Sequence, residues 1–143
     1  MKRSDWILLI FAVLVAALTC ARLLADEQHT WQAVGDDDMT GRATGYVMVL
    51  ARDSLTIVNA DNGHQGWITN TPGLTVITAD ILPTPAEPGT WENFTMETKD
   101  FEPGTWFASI KAFDEAGNWG ALGNIKRFVI SDVTSPAAII TLR

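Results

Sequence analysis

Three consecutive carboxylates, Asp36, Asp37 and Asp38, follow Gly35 and form the densest run of hard oxygen ligands in the chain, which makes them a weak calcium candidate. A calcium shell takes about six to eight oxygens, and the spacing of an EF-hand loop is not present, so a solvated turn is the simpler expectation. His29 and His64 lie far apart, with no cysteine or carboxylate constellation around either. That pattern fits surface histidines better than zinc ligands. Asp114 and Glu115 open the turn-forming run Asp114-Glu115-Ala116-Gly117-Asn118, where a hairpin role outweighs proton transfer. Asn93-Phe94-Thr95 matches the N-glycosylation pattern, whose use depends on the host. The sequence has no Gly-x-Ser-x-Gly elbow, no phosphate-binding loop and no Cys-x-x-Cys-His haem motif. These residues point to a protein without catalysis and without a cofactor.

The elements that carry them are bounded by composition. With 143 residues the chain holds one domain, or one domain and an anchor. Lys and Arg number 10 against 17 Asp and Glu, and the balance after residue 25 is more acidic still, which disfavours nucleic acid or an anionic lipid surface as a partner. Apolar residues make up 47%, enough for a packed core, and a single cysteine excludes an internal disulfide framework.

Lys2 and Arg3 precede an apolar run from Trp6 to Ala21 that only Thr19 interrupts. A basic start followed by such a run is an export signal or, extended to Leu24 with Arg22 snorkelling, a spanning helix. Residues 1–25 are therefore expected to be an N-terminal hydrophobic helix retained as a membrane anchor. The cations would stay in the cytoplasm and the acidic domain would lie outside. Removal after Ala17 or Ala21 as a signal peptide, and lipidation at Cys20, are the alternatives.

Beyond residue 25 short apolar stretches alternate with Gly, Pro, Asn and Asp clusters. Strands are expected at His29–Val34, Gly45–Ala51, Leu55–Asn59, Leu74–Thr78, Trp91–Glu97, Thr105–Phe113 and Asn124–Ser131. Seven short strands with turns at this spacing read as an antiparallel sandwich. Period-2 alternation would turn Trp31, Tyr46, Met48, Leu50, Phe94, Met96, Ile110 and Ala112 between the sheets.

Trp31-Gln-Ala-Val-Gly-Asp-Asp-Asp38, followed by Gly41-Arg-Ala-Thr-Gly-Tyr46, resembles the B-strand tryptophan, B–C loop and C strand of bacterial fibronectin type III domains. Pro103-Gly104-Thr105 leading into Ile110-Lys-Ala-Phe-Asp-Glu-Ala-Gly-Asn-Trp119 is similar to the F strand and F–G hairpin, and Asp132-Val-Thr-Ser-Pro136 to the linker that follows such domains. The resemblance implies an all-β, fibronectin type III-like antiparallel β-sandwich over residues 26–136, with sheets A-B-E and C′-C-F-G. It departs at the tyrosine corner, where Trp106 takes the slot and Ala108 replaces a larger aromatic. An indole only donates, so the usual hydroxyl bond must be replaced.

The resemblance implies protein binding, and three places are expected to serve it. Val47, Val49, Phe107 and Lys111 would share the outer face of strands C and F, either as an apolar interface or under the Leu55–Pro85 excursion. Ile81 and Leu82 lie in a proline-rich stretch with no obvious core to enter. At the C terminus, residues 137–143 include Ile140 and Leu142 on one face of a β-branched segment. Only Asp26–Thr30 separates the anchor from Trp31, so strand A is missing, and Ala137–Leu142 could replace it in its own domain or in a neighbour. The expected protein is a non-enzymatic, single-pass accessory subunit of a bacterial inner-membrane complex, such as a respiratory or photosynthetic one, whose periplasmic domain binds other protein subunits. A secreted adhesion module for carbohydrate or a host protein is the alternative.

The anchor has a direct test. Carbonate washing of membranes should leave the chain in the pellet; a soluble chain starting at Leu18, Arg22 or Asp26 would show that the segment is removed.

Overall fold

The computed structural model describes residues 26–35 and 40–132. Asp36, Asp37 and Asp38, the hydrophobic segment of residues 1–25, and the tail with Ile140 and Leu142 lie outside the described residues. Among the described residues six strands run in the order β1 (Glu27–Gln32), β2 (Gly45–Ala51), β3 (Thr75–Ile77), β4 (Trp91–Met96), β5 (Gly104–Phe113) and β6 (Lys126–Ile130). A short helix, α1 (Ser54–Ala60), and a 3-10 turn at Gly63–Gln65 lie between β2 and β3. The strands form two antiparallel sheets, β1-β4 and β3-β2-β5-β6.

Alternation located six of the seven expected strands to within two residues, because each has one face in a common core. Leu55–Asn59 is the exception and is corrected to helix α1. Asp53, in extended backbone, caps it by accepting from the Thr56 amide at 2.7 Å and the Thr56 hydroxyl at 2.9 Å. Ile57 and Ala60, one turn apart, are buried, so tertiary packing overrides the β-branched preference of Thr56-Ile57-Val58.

Between the sheets, Tyr46, Met48 and Leu50 of β2 meet Met96 of β4, Trp106 and Ala108 of β5, and Phe128 and Ile130 of β6. Trp31, Phe94, Ile110 and Ala112 also pack against this cluster but remain only partly buried. Leu82 joins it and is buried, so the proline-rich stretch does reach a core, whereas the adjacent Ile81 stays exposed. Glu92 ties the layers together. Its carboxylate accepts from the Trp31 indole at 3.1 Å, from the Tyr46 hydroxyl, and from the Ala86 amide at 3.0 Å. Burial, then the bond to Glu92, holds the Tyr46 phenol well above its ordinary pKa. At the corner of β5 the Trp106 indole donates to the Glu102 carbonyl at 2.9 Å, with Phe101 edge-on to its ring at 5.3 Å. The donor-only ring thus makes an upstream main-chain bond of its own.

The two sheets are aligned by ring contacts. His29 meets Phe128 edge-on at 5.1 Å and Trp31 meets Tyr46 at 5.3 Å. Tyr46 is paired with Ala112 and Phe128 with Trp106. β1 therefore runs from the level of β6 toward the level of Ala112, opposite in sense to β6. Lys126 clasps the two, its ammonium 2.7 Å from both the Glu27 carboxylate and the Gln28 carbonyl.

His29 is not a surface histidine. It is 4% exposed, its Nε2 has no hydrogen-bond partner, and burial followed by the nearby Lys126 charge lowers its pKa from 6.5 to about 4. Between those values the unfolded chain holds a proton that the folded chain refuses, so protonation favours unfolding. Stability should be complete above pH 6.5, fall as the pH drops toward 4, and gain no further loss from this group below that. The total is up to about 3 kcal/mol. In urea titrations from pH 7 to 4, His29→Phe should show a shallower loss than the parent; matching slopes would remove His29 as the cause.

Candidate protein-binding surfaces

The four-stranded sheet has a second face. Val47, Val49, Phe107 and Lys111 project onto it, as alternation requires, but this face is closed. Val49 and Ala51 are fully buried beneath Ile57, Ala60 and Trp67, with Val47, Phe107, Val76 and Trp119 packed around them. The expected open patch is therefore corrected to a second core between the sheet and the excursion that follows β2. Burying a Val or Phe side chain contributes about 1.5–3 kcal/mol, so an uncovered cluster here would be a liability in water.

The cover is held at its centre by Lys111. Its side chain is fully buried, and its ammonium bonds the Asp61 carboxylate, the Gly63 carbonyl at 2.8 Å and the Gly66 carbonyl at 3.1 Å. Three donors thus meet three oxygens, and the Trp67 ring lies 5.0 Å from the nitrogen. The Lys111 hydrogen bond also lowers the Asp61 pKa. Trp67 is fixed in turn by its indole donating to the Val47 carbonyl at 3.3 Å. Gly66 has φ +89°, and a Cβ there would lie 2.7 Å from the Trp119 ring, so only glycine lets the turn approach. His64 and Trp119 complete the seam: the Trp119 amide donates to the His64 carbonyl at 3.2 Å, and His64 Nδ1 lies 2.8 Å from the Trp119 carbonyl.

Closing this face moves apolar side chains one layer outward. Leu55 and Val58, one helical turn apart on α1, are 64% and 47% exposed. Ile68, whose amide bonds the Ala60 carbonyl at 2.8 Å just past the helix, is 41% exposed. Alternation assigned this stretch to a strand and so hid the ridge; the Asp53-Ser54 start was the available helix signal.

A second surface lies beside β1. A groove of about 1180 Å³ runs between β1 and the second half of β5, with His29, Trp31, Tyr46, Ile110 and Ala112 among its walls. β6 pairs only with Gly104–Ala108, so β5 continues past it along the groove. Among the described residues no three histidine, cysteine or carboxylate side chains converge to hold a metal ion. Asp114 caps its own hairpin, accepting from the Asn118 amide at 2.7 Å and side chain at 2.6 Å, which lowers its pKa.

Removing the ammonium should be costly. Lys111→Met would leave the Gly63 and Gly66 carbonyls and the partly exposed Asp61 carboxylate without their shared donor and should destabilise the fold by about 1–3 kcal/mol in urea denaturation. A change below 1 kcal/mol would mean that water replaces the ammonium without loss.

Compared with known proteins, the chain matches no family model, no curated protein and no solved structure.

Proposed function

We propose that the chain is a non-enzymatic accessory subunit, tethered to a bacterial inner membrane through residues 1–25, whose fibronectin type III-like domain binds neighbouring protein subunits on the periplasmic side. The sheet order β3-β2-β5-β6 beside β1-β4 supports the family reading, since it corresponds to C′-C-F-G beside B-E. Among the described residues no helix is long and apolar enough to cross a membrane, and the proposed anchor precedes them.

The observation that carries the binding reading is the exposed apolar side of α1, Leu55 and Val58, with Ile68 exposed in the segment that follows. Single exposed apolar residues are ordinary on protein surfaces. Here the chain spends its excursion on covering one apolar face and then presents another on the cover, with Leu55 and Val58 on the side of α1 opposite Ile57 and Ala60. A partner that buries this side of α1 replaces water around both side chains, about 1.5–3 kcal/mol for each that becomes fully buried.

The test is the paired change Leu55→Asp and Val58→Asp in the full-length, membrane-bound protein. The variant should keep its circular dichroism and its melting temperature within a few degrees, because neither side chain enters a core. In mild detergent it should run at the size of the free subunit, while the parent runs in a larger assembly. An unchanged assembly would exclude the ridge as the contact.

A further inference from the structure

The edge of β1 that faces away from β4 has no strand beside it among the described residues. The Ala33 amide bonds the Thr90 carbonyl at 2.8 Å, which continues the β1-β4 ladder and fixes its phase. Trp31 and His29, in step with Ala33, turn their main-chain groups to β4, so those of Gln28, Thr30 and Gln32 point toward the open edge. The Gln28 carbonyl is taken by Lys126. Thr30 and Gln32 therefore present donors and acceptors along the mouth of the groove.

The groove is under-filled on the same side. Trp31, Ile110 and Ala112 point into the core between the sheets yet remain only partly buried. His29, 4% exposed, lines the groove with an unpartnered Nε2. Open main-chain groups beside inward apolar side chains that still touch water describe a place shaped for one more strand.

We propose that residues 137–142 of the same chain are that strand, lying along the outer edge of β1 and parallel to it. Three observations select this occupant. β6 ends at Ile130, while Lys126 is the β6 residue that lines the groove, so the chain leaves the four-stranded sheet about 13 Å from the groove's near end. Residues 131–136 can extend about 20 Å, enough to cover that offset together with the roughly 10 Å that separates facing sheets. Because β1 runs opposite to β6, a chain that reverses after β6 enters the groove in the direction of β1. Finally, the segment Ala-Ala-Ile-Ile-Thr-Leu is uncharged and β-branched, with Ile140 and Leu142 on one face to cover Ile110 and Ala112. The inference concerns a different surface from the ridge on α1 and stands independently of it.

Two measurements on the full chain decide the matter. In hydrogen exchange, the Thr30 and Gln32 amides should be protected at least ~100-fold, as in a paired strand, and should lose that protection when residues 137–143 are deleted, while Val47–Leu50 stay protected. Should the truncated chain fail to fold, cysteine pairs give the answer. In a Cys20→Ser background, Thr30→Cys combined with Ile139→Cys or with Thr141→Cys should close a disulfide at monomer mass under mild oxidation in one of the two pairs. Unprotected Thr30 and Gln32 amides in the full chain overturn the proposal. So does failure of both pairs to close. A disulfide formed between two chains overturns it in favour of strand exchange.

Discussion

A single ammonium group sets the arrangement of the outer half of this domain. Lys111 sits in the middle of β5 on a face otherwise made of Val47, Val49 and Phe107, and burying its charge without partners would cost several kcal/mol. Asp61, the Gly63 and Gly66 carbonyls and the Trp67 ring offset that cost, but only in one geometry of the turn at residues 61–67. The apolar contacts of the cover are non-directional and would tolerate several placements. The lysine is directional, and it selects one. From that choice follow the position of α1, the closeness of Gly66 to Trp119, and the side of α1 that faces water.

Much of the inner core was legible because alternation in β1, β2, β4 and β5 has a single reading when one face is apolar. The outer face was harder for a physical reason. Both faces of β2, Gly45-Tyr-Val-Met-Val-Leu-Ala51, are apolar, which is the pattern of a strand buried on two sides. Such a run favours coverage of both faces, whereas a lysine on one of them favours solvent. A lone cation on a strand is ambiguous in sequence because its partners here come from 45 to 50 residues away. His29 misled in the same way: nothing local to it announces that Phe128 will close over the ring. Helix α1 was missed because three adjacent Thr, Ile and Val residues favour a strand until packing of Ile57 and Ala60 is counted.

The two cores differ in how they are specified. Between the sheets, large rings and aliphatic side chains interlock around the Glu92 carboxylate, which binds groups from β1, from β2 and from the segment before β4. Outside the four-stranded sheet, small and β-branched residues are capped by a non-strand cover pinned at Lys111 and at the His64–Trp119 seam. β2 and β5 contribute to both, so they are the strands on which loss of either core would be felt most.

The clasp between Lys126, Glu27 and the Gln28 carbonyl holds together the two strands by which the described chain enters and leaves. Because β1 and β6 run in opposite senses, a pulling force applied across Asp26 and Ser131 would act toward one end of the sandwich. Such a force opens ladder bonds one after another from their ends, a zipper geometry that yields at lower load than strands sheared along their length. Along β6 the bonds beside Ile130 are the first to open under such a force, and Lys126, the first residue of that strand, is reached last.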